Sequence, residues 1–299
     1  MSIQFKNYTN EAGITEDYHR VRSFLVDIGY SDFTYARWDW MTTHGWLDPS
    51  AVGRIGIWEE AGRIVGLATF DTRPGNAYCI AAPGYEESKR EMLEYAEEHL
   101  AGDEGFRVVI PDTDVRFQDI AAQRGYVATD CGENDAIFFL DRTSTEYRLP
   151  EGFRITDMRE TYDLMEYRRV LWKGFNHELK GEGPLVYSPE EALSAEKEMR
   201  RPHVDLELKI AVVAPDGHFA SYCGMWYDEK AGFAVIEPVA TDPDYRRMGL
   251  GRAAVLEGIR RVGTRGARIA LVGSSQQFYY SIGLRPFASA SEWKRESSK

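Results

Sequence analysis

Cysteine is scarce. Cys79, Cys131 and Cys223 are the only three among 299 residues. They are isolated and odd in number, which excludes a disulfide scaffold and a zinc site and suits a reducing compartment. Long apolar runs are missing too. No stretch approaches the roughly 18 residues of a membrane span, and the opening Met1-Ser-Ile-Gln-Phe-Lys has no signal-peptide shape. The expected location is the cytoplasm. A phosphate-binding G-x-x-x-x-G-K-[S/T] loop is also absent. Positive charge is short in one half only: residues 1–150 hold 14 Lys and Arg against 26 Asp and Glu, while residues 151–299 hold 22 of each. The resulting net charge of −12 argues against nucleic acid or an anionic membrane as partner. A cationic substrate would suit it, and so would solubility alone.

What is present belongs to a soluble globular chain, with 43% hydrophobic and 28% charged residues and a length for about two domains. The first half opens with a strand (Ile3 to Tyr8), followed by helical regions at about 15–26 and 37–43. Strands at Ile55 to Glu60 and Arg63 to Phe70 flank a turn at Ala61-Gly62, and a third runs from Ala77 to Ala82. Leu93, Ala96 and Leu100 recur at helical spacing among charged residues, which predicts an amphipathic helix over 86–100. A strand at Arg107 to Ile110, a helix at Val115 to Arg124 and a strand at Ala136 to Leu140 complete the half. The polar, aperiodic stretch from Asp141 to Gly152 contains Pro150 and reads as a linker.

The second half repeats this order. A strand near Phe153 to Asp157 precedes helices at about 160–175 and 189–200. Strands follow at 206–213, 219–227 and 233–240, then a long helix from Gly249, a strand at 268–272 and a short helix to Gly283. Val65-Gly66 matches Cys223-Gly224, Gly125 matches Gly283, and Pro83-Gly84-Tyr85 matches Pro243-Asp244-Tyr245. The economical reading is two copies of one β/α unit, each a mixed-sheet α/β (α+β) domain, over 1–141 and 153–299 with a linker at 142–152.

One loop carries chemistry. The strand ending at Ala240 runs through Thr241-Asp242-Pro243-Asp244 and the pair Arg246-Arg247 to Gly249 and Gly251, which open a helix. Helix starts present unpaired N–H groups that attract anions, and glycines let a ligand approach the backbone. In the matched register the first copy has Glu86, Glu87, Ser88, Lys89, Arg90 and Glu91, with carboxylates for guanidiniums and no glycine. A pyrophosphate would meet like charge there, so the first copy is not expected to bind it. Glu237 and Tyr279 of the second copy likewise face Ala77 and Ala121 in the first, which points to chemistry in the second copy alone.

These residues resemble the Gcn5-related N-acetyltransferases, whose signatures are Q/R-x-x-G-x-G/A at a helix start and a later F/Y-Y-x-x-x-G-F/L. Here they read Arg246-Arg-Met-Gly249-Leu-Gly251 and Phe278-Tyr279-Tyr280-Ser281-Ile282-Gly283-Leu284, and the match spans about 206–287. The resemblance implies a tandem protein with a degenerate first copy and a fold of two acyl-CoA N-acyltransferase-like domains. It implies acetyl-CoA as co-substrate, without a metal, and a primary amine of a small molecule or peptide as acceptor. The N–H groups of Met248, Gly249, Leu250, Gly251, Arg252 and Ala253 would hold the pyrophosphate, flanked by Arg246 and Arg247. The strand edge at Val239, Ala240 and Thr241 would pair with the pantetheine arm, the Val239 N–H would polarise the thioester carbonyl, and Ser274 and Phe278 would add contacts. Glu237 would act as base and Tyr279 as acid, with Tyr280 a competitor one residue away. Family members often carry Asn early in the second signature, where this chain has Gly273-Ser274-Ser275.

The same loop fits a dinucleotide fingerprint through Gly249, Gly251 and Ala254, but Pro243 and a charged loop interrupt the required strand-to-glycine junction. Cys223 beside Gly224 in an apolar strand reads as a buried thiol. The rival in another class is an acyl-CoA-binding or sensor protein without turnover. Trp172 to His177 and the loop to Tyr187 are candidates to wall the acceptor site or to pack the core. Trp38 and Trp40 are candidates to pack the face between the copies or to line a cleft that the copies share. A monomer or a homodimer is expected.

Overall fold

Strand-forming runs and helix caps set the elements of this computed structural model, which describes residues 2–42 and 44–296. The chain begins with β1 (Gln4–Asn7), α1 (Glu16–Ile28) and α2 (Tyr35–Met41). Strands β2 (Gly56–Glu60), β3 (Arg63–Asp71) and β4 (Arg73–Ala81) form an antiparallel meander. A 3-10 turn over Glu86–Ser88 leads into α3 (Lys89–His99), then β5 (Arg107–Pro111), α4 (Val115–Gln123) and β6 (Tyr126–Phe139). The second half holds β7 (Arg154–Asp157), α5 (Leu164–Gly174), α6 (Pro189–Met199), β8 (Lys209–Val213), β9 (Phe219–Tyr227) and β10 (Phe233–Thr241). It ends with α7 (Leu250–Thr264), β11 (Ile269–Val272), α8 (Gln277–Ser281) and β12 (Arg285–Arg295). The expected helix at 37–43 stops at Met41, and Thr43 lies outside the described residues. The expected strand at 206–213 starts with a 3-10 turn at Leu206–Leu208, because Asp205 caps the N–H of Glu207.

The chain divides into two compact units, Met1–Asn134 with Phe287–Lys299, and Asp135–Pro286. The boundaries differ from the expected 1–141 and 153–299. In the first unit β5 pairs with β12, a strand from the end of the chain, through Pro111↔Ala290 to Val108↔Trp293. In the second unit the end of β6 pairs with β11, through Phe139↔Ile269 to Ala136↔Val272. The last strand of each copy thus completes the other unit's sheet. The expected linker at 142–152 belongs to the second unit, where Tyr147 and Leu149 pack against the core.

Each unit buries its own core. In the first, Trp38 is fully buried and stacks on Tyr18 at 6.3 Å, its indole N–H donating to the Tyr18 carbonyl at 3.2 Å. It is a core residue, and Trp40 packs on His44. In the second, α7 lays Val255, Leu256, Ile259 and Val262 against Ile210, Val212, Met225 and Ile236 of the sheet. The opposite sheet face, with Ala211, Val213, Phe219 and Tyr222, receives Tyr167 and Val170 of α5 and Ala195 and Met199 of α6. Each such aliphatic or aromatic side chain stabilises the unit by about 1.5–3 kcal/mol relative to exposure. A helix on either face leaves chemistry to the strand ends.

Glu257 is the charged exception on the buried side of α7. Burial alone would raise its pKa. Arg260 at 2.8 Å, Arg261 at 2.7 Å and the Tyr147 hydroxyl at 3.1 Å outweigh that and pull it down to about 2. A carboxylate with a depressed folded pKa contributes stability above its unfolded value, and loses it as pH falls through the folded one. The wild type should therefore lose about 3 kcal/mol from this group between pH 4.5 and 2. Chemical denaturation across that range should show a shallower pH slope for Glu257→Gln; equal slopes would remove the argument.

Candidate functional site

The site begins where β10 leaves β11. The two strands pair in parallel only from Phe233↔Ile269 to Val235↔Leu271. Against β9 the pairing continues to Thr241↔Ser221, interrupted by a register shift between Ile236 and Val239 at the cis Glu237–Pro238 bond. From Val239 onward one edge of β10 is therefore open. The Asp242 N–H donates to the Ala220 carbonyl, toward β9. By strand alternation, the N–H and C=O groups of Val239 and Thr241 face the open edge.

The irregularity turns Glu237 outward. Phe233 to Ile236 are buried, whereas Glu237 is exposed. Gly224 on β9 makes this possible, since a Cβ there would meet the Glu237 carbonyl oxygen at 2.4 Å and Pro238 Cδ at 2.9 Å. The matching Gly66 faces side chains instead of backbone, the flexible end of Met92 and Trp58 Cβ at 3.3 Å. Sequence reading used Gly224 as a register landmark and missed this requirement. The Glu237 carbonyl also accepts from the Trp226 indole at 3.0 Å.

Tyr279 on α8 is 8% exposed, and its hydroxyl has no hydrogen-bond partner among the described residues. Burial pushes its phenol well above the usual range, and Cys223 and Glu237 add to the push. Tyr280 is partly buried and packs against the core. The Cys223 thiol is buried and raised to about 12, as expected for a structural cysteine.

Helix α7, like α3 and α8, starts without a side-chain cap. Thr15, Thr34, Asp114, Asp163 and Ser188 cap α1, α2, α4, α5 and α6 through side-chain oxygens. The start of α7 has Gly249 at φ +83°, no side-chain cap and no acid in its first turn. The N–H groups of Met248, Gly249, Leu250, Gly251 and Arg252 have no partner among the described residues. A Cβ on Gly249 would project into open space with nothing within 4 Å, so the cradle has room for an anion. Gly251 has another reason to be glycine: a Cβ would lie 2.9 Å from Thr241 Oγ1 and 3.3 Å from Phe278 Cζ. Phe278 closes the floor of the cradle, and Ser274 Oγ accepts the Gln276 N–H.

Two expected ligand contacts have other work. The Ala253 N–H already donates to the Gly249 carbonyl at 3.0 Å. The Arg246 guanidinium is spent on Thr241 O (3.2 Å), Gly174 O (2.9 Å) and Asn176 Oδ1 (2.7 Å), tying the loop to the end of α5. Arg247 is exposed at φ +67°, and Met248 is 41% exposed. The Leu250 and Ala240 side chains are buried, so each contributes only backbone.

Asp242 was missed as a brace because a lone Asp before Pro reads as a turn residue. It is fully buried, accepts the Asp244 N–H at 3.0 Å, and meets Arg169 at 2.8 Å and Lys173 at 3.2 Å. Burial raises its carboxyl, but the Asp244 N–H and the two cations hold it below the usual range. Glu166 in turn orients Arg169 at 3.1 Å. Beyond α5, Trp172 stacks on His177 at 4.2 Å and donates to the Gly183 carbonyl, while His177 meets Glu182 at 2.9 Å. These residues organise the loop toward Tyr187. Phe175 is 43% exposed.

In the first unit the equivalent places are closed. Ala77 and Ala121 are fully buried. Glu86 accepts the Gly84 N–H at 2.9 Å, Glu87 pairs with Arg116, and Lys89 pairs with Asp114 at 2.6 Å. Carboxylates occupy the helix start where the second unit is bare.

The model of the acetyltransferase (GNAT) family matches residues 172–283. Among solved structures, the chain is similar to a GCN5-related N-acetyltransferase from Sphaerobacter thermophilus, with 18% identity, 99% and 97% of the two chains covered and a TM-score of 0.59. It is similar to a tandem GNAT protein from the clavulanic acid biosynthesis pathway at 13% identity, covering 98% of both chains with a TM-score of 0.62. A GNAT-family acetyltransferase from Colwellia psychrerythraea aligns at 11% identity over 97% of this chain and all of that one, with a TM-score of 0.56. At such identities the likeness is one of fold. No curated protein matches the sequence. Residues 172–283 thus match the acetyltransferase (GNAT) family, and nearly the whole chain has the fold of a tandem GNAT protein.

Proposed function

We propose that the second unit is an acetyl-CoA-dependent N-acetyltransferase acting on a primary amine of a small molecule or peptide. The observation that carries this reading is an open strand edge, with the exposed Glu237 at its start, that leads to an uncapped glycine-flanked helix start. The bound co-substrate supplies a thioester, whose acyl carbon takes the amine and releases a thiolate.

The residues then divide the work. N–H groups of Met248 to Arg252 bind the pyrophosphate, and the Val239 and Thr241 edge orients the arm as an added strand would. The Val239 N–H donates to the thioester carbonyl oxygen as charge builds on it. Glu237 takes a proton from the incoming ammonium, directly or through water, freeing the lone pair that forms the C–N bond. Tyr279 gives its proton to sulfur as the C–S bond breaks. Its raised pKa keeps it protonated at neutral pH, so the proton is in place when the C–S bond breaks. The second proton leaving nitrogen restores the phenol, and Glu237 returns its own to solvent.

Thiol release from acetyl-CoA, followed across an amine library, tests the reaction. Glu237→Gln and Tyr279→Phe are each expected to lower kcat by roughly 100- to 10,000-fold while acetyl-CoA still raises Tm, and Tyr280→Phe should stay near wild type. A wild-type protein that binds acetyl-CoA yet is accelerated by no amine would be a binding protein or sensor instead.

The cradle has its own check. Gly249→Val adds bulk where the space is open and should abolish the acetyl-CoA thermal shift, with circular dichroism confirming the fold. The left-handed backbone at this position adds a strain of about 1–2 kcal/mol to that variant, so its ligand-free Tm serves as the reference. An unchanged ligand shift would refute the cradle.

A further inference from the structure

The exit of β4 in the first unit lacks the brace that holds the exit of β10 in the second. Pro83 stands where the second copy has Pro243, so Ala82 takes the place of Asp242. On the helix, the pair Asp17–Arg20 at 3.3 Å repeats Glu166–Arg169 at 3.1 Å, which sets Phe24 against Lys173. Of the clamp made by Asp242, Arg169 and Lys173, only the arginine remains. Arg20 turns instead to Glu59 at 2.8 Å and to the Gly62 carbonyl at 3.3 Å. The Tyr85 hydroxyl still donates to Glu60, as that of Tyr245 does to Asp216. Where the second unit holds a buried ion cluster, the first holds a cavity of about 580 Å³ among α1, the β2–β3 turn and the end of β4. Ordinary small-molecule sites run from about 300 to 1,000 Å³.

Its walls combine apolar surface with balanced charge. Phe24 and Val65 are buried, and Ile28 and Ile64 are half-buried. Arg20 and Arg63 are matched in number by Asp27 and Glu60, so the lining has no net charge and offers little to a polyanion. Glu60 and Arg63 are register partners across the hairpin. Opposite charges so placed ordinarily attract each other across the strands. Here Glu60 accepts the Tyr85 hydroxyl, and Arg63 makes no hydrogen bond or ion pair among the described residues. An unclosed pair of opposite charges beside an apolar wall fits a ligand that carries both charges close together on an apolar body.

We propose that this cavity binds an α-amino acid with a large apolar side chain. Its carboxylate pairs with Arg63, its ammonium with Glu60, and its side chain packs on Phe24, Ile28 and Val65. The inference stands apart from the coenzyme reading of the second unit. It gives the first copy a ligand of its own, at the place where a brace of the second copy is missing.

Calorimetric titration of the full chain with L-leucine and L-phenylalanine, each beside its deaminated acid and its amide, tests it. At least one of the two amino acids should bind roughly 10-fold or more tightly than both of its analogues, as loss of one charge-assisted contact implies. Arg63→Ala changes an exposed side chain and should erase the preference over the amide. Phe24→Lys combined with Ala82→Asp rebuilds the clamp of the second copy and should abolish binding, with circular dichroism checking the fold. Binding of neither amino acid by the wild type would overturn the proposal. So would binding that survives both variants unchanged, because the amino acid would then sit elsewhere, as an amine acceptor of the second unit would.

Discussion

Past Val235, strand β10 keeps a hydrogen-bonding partner on one side only, and the second unit is arranged around that loss. An interior strand with one bare edge holds unpaired donors and acceptors in a place where burying them would be costly. The surroundings hold the edge open. Gly224 lets β9 approach the Glu237 carbonyl so closely that the irregular stretch stays attached to its remaining neighbour. Asp242, clamped by Arg169 and Lys173, fixes the strand exit to α5, and Arg246 ties the loop to the far end of the same helix. The cradle at α7 is therefore positioned by a buried charge network on one side and a tight strand contact on the other. The open strand edge and the helix start are thereby fixed relative to each other.

The first unit shows what the same plan looks like without that opening. Its β4 occupies the place of β10, and its centre is filled. Arg37 reaches Asp71 and Glu133, each at 2.8 Å, and its guanidinium lies over the Tyr78 ring at 4.6 Å. The Tyr78 hydroxyl donates to Glu133 at 2.6 Å, and burial drives its phenol far up. Every charge there has a partner of opposite sign in reach. Such satisfied clusters fix geometry and offer little to a ligand. The contrast between Ala77 and Glu237, and between Ala121 and Tyr279, then has a physical meaning: one copy packs small apolar groups where the other places an exposed carboxylate and a buried phenol.

Much of this was readable from residues in order. The glycine-flanked helix start, Glu237 within an apolar strand and Tyr279 ahead of Gly283 all stand out by their mismatch with the other copy. The unit boundaries were not readable. β6 extends back to Tyr126 through residues that are mostly exposed, and β12 runs from Arg285 to Arg295 with only Ala290 buried, so neither carries the alternation that marks a half-buried strand. Which sheet such a strand joins depends on tertiary pairing, and local pattern carries no record of it. The roles of Arg246 and Ala253 were hidden for a related reason. A motif gives residue types at a spacing, and only coordinates show that one guanidinium and one N–H are already spent.

Unspent charge is the remaining signal. Within the second unit most cations are matched: Arg169 and Lys173 by Asp242, Arg261 by Asp157 and Glu257, and Arg260 by Glu257. Around the start of α7 the matching stops, with Arg247, Arg252 and Arg148 left without carboxylate partners. Arg247 also sits at φ +67°, a backbone conformation that disfavours a long side chain by about 1 kcal/mol and that glycine or asparagine would adopt at less cost. In a protein of net charge −12, a local excess of cations beside bare N–H groups is not required by solubility or by packing. Such an arrangement would suit an anionic ligand of several charges, the class of co-substrate proposed above.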